Sequence, residues 1–291
     1  MEKENIKLVI KPYDDNFNNY NIEKETIKMQ FEELNHKKDD IIVVPKLIFI
    51  IPYRDREQHQ IFFSNHMKCI MSDYSETDYK ILYIHQCDER DFNRGAMKNI
   101  GFLFVKNTYP DDYKQITLIF NDVDTMPFSK NFLNYDTTMG NIKHFYGFTH
   151  TLGGIVSVKA EDFEKTDGFP NLWAWGYEDN AFQKRVQRHK INIDRDNFFK
   201  IYDKNIMHFY DGDSKTINYK EYQKYTHNYK DGISTINDLK YSYDINSGFV
   251  KVSTFNTPYI PDSEKNIEHK LIDGAVPFKK KRRTGGMKMG I

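Results

Sequence analysis

The chain is poor in cysteine, tryptophan and alanine, carries no excess of either charge, and has no long apolar run. Each absence excludes something. Cys69 and Cys87, the two cysteines, are too few for a disulfide framework or a cysteine-based zinc site, and they suit a reducing compartment. Lys plus Arg and Asp plus Glu balance at 42 each, so the chain has no global field with which to hold nucleic acid or an anionic membrane. Any anionic ligand must then be met by local positive groups or by a metal. The longest apolar stretch, Leu47–Ile51 preceded by Ile41–Val44, is broken by Pro45 and Lys46 and is too short to span a bilayer. The charged start, Met1-Glu2-Lys3-Glu4-Asn5, lacks the apolar centre of a signal peptide. These features lead us to expect a soluble, cytoplasmic protein with no membrane span and no nucleic-acid partner.

What is abundant is aromatic: 20 Tyr and 22 Phe in 291 residues, enough to build one sizeable core. Residues 1–40 are polar and read as a loosely attached arm, partly helical around Ile22 to Leu34. Residues 262–291 form a tail that includes Lys279-Lys280-Lys281-Arg282-Arg283, a block expected to be solvated and flexible. The functional domain is expected over 41–261.

Within it, strands and helices alternate. Leu47–Ile51, stopped by Pro52, reads as a buried parallel strand. Glu57–Tyr74 has Phe63, Met67, Ile70 and Met71 on one helical face. Lys80–His85 reads as a second strand, Arg94–Val105 as a second helix and Gln115–Phe120 as a third strand. This βαβαβ order predicts an α/β fold with right-handed crossovers, whose ligands gather at the carboxyl ends of the strands.

The chemistry-bearing residues stand at those ends. Trp173-Ala174-Trp175-Gly176-Tyr177-Glu178-Asp179-Asn180 sets both tryptophans of the chain beside a carboxylate pair. An indole offers a flat apolar face for a pyranose ring, and a carboxylate can act as general base for a hydroxyl. The same residues also suit a core Trp pair followed by an acidic helix start. Asp122-Val123-Asp124 follows the third strand, where two carboxylates can share a hard cation completed by phosphate oxygens, or can cap a turn. Pro52-Tyr53-Arg54-Asp55-Arg56 follows the first strand, with arginines able to grip a diphosphate or to form surface ion pairs. Phe92-Asn93-Arg94 opens the second helix, either as an anion site or as ordinary capping by Asn93. Thr151-Leu152-Gly153-Gly154 supplies a glycine pair that permits close backbone approach or a plain turn. His208, taken alone, is more often a structural histidine than a ligand, and becomes a metal ligand only if the fold brings it to Asp124.

Taken in order, these segments resemble the beta-1,4-galactosyltransferase family, glycosyltransferase family seven. The likeness also includes Gly168-Phe169-Pro170-Asn171, His208-x-x-Asp211 and Asp231-Gly232-Ile233, and covers about residues 45–255. It implies a GT-A type fold, with a mixed, mostly parallel sheet flanked by helices and a Rossmann-like nucleotide-binding half. It implies an inverting, metal-dependent transfer of galactose, or of GalNAc, from a UDP-sugar to a glycan or glycoside hydroxyl. By position, Asp124 and His208 would bind Mn²⁺, with Mg²⁺ an alternative. Pro52, Tyr53, Arg54, Arg56, Phe92, Arg94 and Asp122 would line the nucleotide pocket. Thr151, Gly153, Gly154, Trp173 and Trp175 would face the sugars, and Asp179, with Glu178, would serve catalysis as base.

Several positions depart from the family pattern. Asn205 stands where the family's methionine ligand is common, with Met207 in a different register. Asn180 replaces an acidic residue after the Glu-Asp pair, and Thr151 replaces a tyrosine that excludes N-acetylated donors. The smaller Thr151 leaves room for an N-acetyl group, so UDP-GalNAc is an alternative donor to UDP-galactose. The family's usual membrane anchor is missing from the sequence, in line with the cytoplasmic expectation (host cytoplasm, if the protein is viral). Two other readings compete: a sugar-nucleotide or glycan-binding module with weak or no catalysis, and a metal-dependent phosphoesterase built on Asp122 and Asp124.

Overall fold

The computed structural model describes residues 43–210, 212, 214–226, 230–260 and 263–270, together with the backbone of Leu8–Val9. The helix expected around Ile22 to Leu34, the Lys279–Arg283 block and Asp211 lie outside the described residues.

The architecture is a mixed sheet with helices on both faces. Its strands are β1 (Leu8–Val9), β2 (Leu47–Tyr53), β3 (Tyr79–Gln86), β4 (Thr117–Asn121), β6 (Asn141–Gly147), β7 (Ile155–Lys159), β8 (Asn192–Asp194), β9 (Phe199–Lys200), β12 (Asn237–Asp244) and β13 (Phe249–Asn256). Their order is β1-β12-β13-β3-β2-β4-β7-β6-β8, with β9 also on β6. Two short ribbons stand apart: β5 (Thr125–Pro127) with β10 (Ile206–His208), and β11 (Ser214–Asn218) with β14 (Asn266–Lys270). The last of these lies beyond the boundary expected at 261. The helices are α1 (Glu57–Ile70), α2 (Arg94–Thr108), α3 (Ala160–Lys165), α4 (Glu178–Arg188) and α5 (Tyr219–Thr226).

Strand β2 is central and buried along its whole length, as its continuous apolar run requires. Its side chains alternate between two cores. Leu47, Phe49, Ile51 and Tyr53 pack with Phe63, Met67 and Ile70 of α1, whereas Ile48 and Ile50 pack with Ala96, Met97 and Ile100 of α2. The strand continues through Pro52. Pairing with β4 ends at Ile50 opposite Phe120, so Pro52 lies where one side of β2 has no partner for the N–H it lacks. Helix α1 stops at Ile70, short of the expected Tyr74, because residues 71–74 close a turn through Tyr74 N–H to Met71 O.

Strands β3, β2 and β4 are mutually parallel, while β7 joins β4 antiparallel. The carboxyl ends of the three parallel strands therefore open on one edge of the sheet. Arg54 and Asp122 directly follow the ends of β2 and β4, Asp124 lies on the turn with Asp122, and Arg94 opens α2 after the loop from β3.

Candidate active site

Helix α2 is anchored before it positions anything. Gln86 Oε1 accepts the Asn93 N–H at 2.8 Å, and Asn93 Oδ1 accepts the Ala96 N–H at 2.8 Å, a side-chain N-cap. From the first turn, the Arg94 guanidinium grips Asp122 with Nε–Oδ1 3.0 Å, Nη2–Oδ1 2.7 Å and Nη2–Oδ2 2.8 Å. Its Nη1 reaches Glu178 Oε1 at 2.7 Å and Asp179 Oδ2 at 3.1 Å. One planar fork thus ties the end of β4 to the start of α4. One turn further along α2, Lys98 Nζ meets Asp179 Oδ1 at 3.0 Å.

Glu178 and Asp179 occupy the first turn of α4, where the helix dipole favours negative charge. The chain enters that turn through Gly176 (φ +95°) and Tyr177 (φ +90°), both left-handed. The two carboxyls are driven apart. Burial, then the Asp179 charge, push Glu178 up, and its Oε2 has no hydrogen-bond partner among the described residues. Burial also opposes ionisation of Asp179, but Arg94 and Lys98 outweigh it and hold this carboxyl below its usual range.

The glycine pair packs directly on this cluster. A Cβ at Gly153 would lie 2.2 Å from Asp179 Oδ2, so the absent side chain is what lets the carboxylate sit there. Gly154 has φ +76°, and a Cβ there would meet Tyr146 O at 2.2 Å. The loop is tied to α4 by Leu152 N–H to Asp179 O at 3.1 Å and by Asn180 Nδ2 to His150 O at 3.1 Å. Beneath it, His144 Nε2 donates to Gly153 O at 3.0 Å while Nδ1 accepts from Arg195 Nε at 3.0 Å. Burial, and then the Arg195 charge, push His144 down to about 4, which keeps it neutral in that tautomer.

Asp124 and His208, far apart in sequence, are brought together by the β5–β10 ribbon. His208 pairs with Thr125, and the Phe209 N–H donates to Asp124 O at 2.8 Å. Tyr146 Oη lies 2.7 Å from His208 Nδ1 and accepts the Tyr202 N–H at 3.1 Å. Ligation of a cation by His208 would have to use its other ring nitrogen. A carboxylate oxygen beside an imidazole suits Mn²⁺. Among the described residues no group of three or more His, Cys, Asp or Glu is placed to hold a metal ion, so a diphosphate would have to complete such a shell. Asn205 donates its side-chain amide to Asp203 Oδ1 at 3.0 Å.

The remaining expected residues divide. Pro52 and Tyr53 are buried, and the Tyr53 ring packs edge-on against Tyr83, His85 and Phe249. Arg54 braces the loop after β3 through the Arg90 and Asp88 carbonyls, the latter at 2.8 Å. Arg56 and Phe92 are half-buried. Thr151 is buried and turns its hydroxyl onto Phe148 O at 3.3 Å. Trp175 is half-buried, its backbone N–H donating to Thr216 O at 2.7 Å. Trp173 is not a sugar platform: it is 3% exposed, stacks on Phe255, lies under Arg90 and donates Nε1–H to Thr257 and Tyr259.

Three residues of this cluster escape the sequence reading: Lys98, Tyr146 and His144. The i, i+4 spacing from Arg94 to Lys98 was a usable signal; nothing in the sequence points to the other two.

Residues 5–136 match a family model described as the N-terminal region of glycosyl transferase group 7, and residues 135–210 match one described as the N-terminal domain of galactosyltransferase. The chain is 30% identical over 171 residues to beta-1,4-galactosyltransferase 4 of Rattus norvegicus, covering 55% of this chain and 48% of that protein. It is 32% identical over 160 residues to xylosylprotein 4-beta-galactosyltransferase of Caenorhabditis elegans, covering 52% and 53%. The chain spans about half the length of the curated relatives it matches. The fold is similar to the catalytic domain of Drosophila beta-1,4-galactosyltransferase 7 solved with xylobiose (TM-score 0.59, 20% identity, 76% of this chain and 97% of that one). A mutant of that enzyme solved with manganese, UDP-Gal and xylobiose gives 0.58 at 22% identity, over the same shares of the two chains. The expected GT-A architecture is thereby established. The expectation of a soluble, cytoplasmic protein is overturned, because the galactosyltransferases it matches are Golgi-resident membrane enzymes. That no helix among the described residues is long and apolar enough to cross a membrane does not rescue it. A shared order of site segments, a shared fold and two consecutive family matches spanning 5–210 lead to one conclusion: the chain belongs to glycosyltransferase family seven, the beta-1,4-galactosyltransferase family.

Proposed function

We propose that this protein is an inverting glycosyltransferase that moves a hexose from a UDP-sugar to a hydroxyl of a glycan or glycoside, with Asp179 as the base. The observation that carries this reading is the Asp179 carboxyl, held by Arg94 and Lys98 against the Gly153 backbone and joined through Arg94 to Asp122 after β4. In an inverting transfer the acceptor oxygen bonds the anomeric carbon from the face opposite the leaving group. The anomeric carbon–diphosphate bond breaks, and the hydroxyl proton passes to Asp179. Mn²⁺ held by Asp124 and His208 would take up negative charge on the departing diphosphate. Arg94 would orient the carboxylates, and the Gly153–Gly154 backbone would let the sugar approach closely.

Galactose is the donor sugar that the relatives' names favour, and xylobiose, bound in both Drosophila structures, is the first acceptor to try. Thr151, folded back on its own turn, leaves UDP-GalNAc as a donor to screen beside UDP-Gal. The test is turnover of both donors with and without MnCl₂, in the native chain and in Asp179→Asn. Transfer is expected with metal and should fall by about 10²-fold or more in the variant. Unchanged turnover in Asp179→Asn would remove this base. Calorimetric binding of UDP and Mn²⁺ with no transfer would favour the non-catalytic binding module, for which the commitment of Asn205 to Asp203 is the structural support.

A further inference from the structure

We propose that Lys98 is a positioning residue that, with Arg94, keeps Asp179 ionised and aimed, so that the site keeps its base at acidic pH. This rests on the reading of Asp179 as base. Lys98 is 2% exposed on α2, in a stretch from Gly95 to Phe102 that is buried throughout. A lysine is almost never that deep unless it is paired. Its Nζ lies 3.0 Å from Asp179 Oδ1 and 4.2 Å from the centre of the Phe169 ring, a pairing with one carboxylate over an aromatic face. Packing alone does not call for this charge, since an apolar residue in place of a buried ion pair is often neutral or stabilising.

The charges around Asp179 explain what Lys98 adds. From α2 come Arg94 and Lys98; from α4, Glu178; from the end of β4, Asp122, which shares Arg94; from β6, His144, which is neutral. Without Lys98, one guanidinium would serve three carboxyls, and Asp179 would share its single cation with Asp122 and Glu178. Its proton would then be harder to remove. Lys98 and Arg94 also bind different oxygens, Oδ1 and Oδ2, which fixes the carboxylate plane.

The test is the pH dependence of kcat/KM for donor turnover with Mn²⁺ in the native chain, Lys98→Arg, Lys98→Gln and Lys98→Met. The base must be ionised, so activity falls as pH drops through its pKa. The acid limb is expected to move up by about one pH unit or more in Lys98→Gln and Lys98→Met, and to stay in place in Lys98→Arg. A merely structural role would lower the plateau without moving the limb. Lys98→Gln keeps a polar side chain of similar reach, so the question stays open to test should Lys98→Met not fold. UDP and Mn²⁺ binding by calorimetry identifies folded variants. A limb that stays put in folded Lys98→Gln, while Asp179→Asn abolishes turnover, overturns the Lys98 inference and leaves the base reading standing. Full turnover in Asp179→Asn overturns both.

Discussion

Tyr146 Oη lies 2.7 Å from His208 Nδ1, and the same oxygen accepts the Tyr202 N–H at 3.1 Å. A hydroxyl from the large sheet thus fixes the ring of a residue carried by a separate two-stranded ribbon. Burial pushes the Tyr146 hydroxyl up to about 12, so it remains neutral at physiological pH.

Tyr146→Phe is expected to keep the fold, because the ring still fills its buried place, at a cost of about 1–3 kcal/mol for the Tyr202 N–H left without its acceptor. If His208 ligates the metal, the unheld ring should weaken Mn²⁺ affinity by about 10–100-fold. Titration calorimetry with Mn²⁺ and UDP measures this directly. Native affinity in a folded Tyr146→Phe would mean that His208 does not bind the ion through this arrangement.

The adjacent glycines should fail differently. In Gly153→Ala the new methyl group meets the Asp179 side chain, which can swing away, so the fold survives and turnover drops. In Gly154→Ala the methyl meets the Tyr146 carbonyl, part of β6, at φ +76°, so stability falls by about 1–3 kcal/mol or more. Melting temperature and turnover measured side by side separate the two effects. A stable, fully active Gly153→Ala would contradict the contact with Asp179.

Glu221 on α5 accepts the Trp173 N–H at 2.7 Å and the Ala174 N–H at 2.9 Å, while burial lifts its carboxyl to about 7. A carboxyl whose folded pKa is raised contributes stability that is complete below its unfolded value, near 4.5, and is lost as pH rises through 7. The native chain should therefore lose about 2–3 kcal/mol from this group between pH 5 and 8. Glu221→Gln, which does not titrate, should lose none of that contribution. Denaturant melts of both proteins at the two pH values test it; parallel pH trends would refute it.

Much of the fold was legible because the hydrophobic effect writes it locally. The Leu47–Ile51 run, the Glu57 helix face and the strand ending at Phe120 all depend on short-range periodicity, and each element appears with ends moved by a few residues. The shifts have local causes, such as the turn at 71–74 and the one-sided β2 at Pro52. Asn93 capping was likewise readable, since a cap depends on residues three apart.

The site was less legible. Trp173 reads as a ligand platform in sequence, yet its indole N–H and face are engaged by Thr257, Tyr259, Phe255 and Arg90, contacts that local sequence does not announce. Lys98 stands one turn beyond Arg94 in the sequence, but only the packing of α4 places Asp179 against it.

By itself, then, the sequence determined which residue types stand at which strand ends, because the alternation of apolar and polar positions commits the backbone locally. Tertiary structure alone decided which of those residues meet. The β5–β10 register set Asp124 beside His208, and the crossing of α2 with the start of α4 gave Asp179 two cations. Those encounters join residues about eighty positions apart, and only the packed sheet and helices fix distances on that scale.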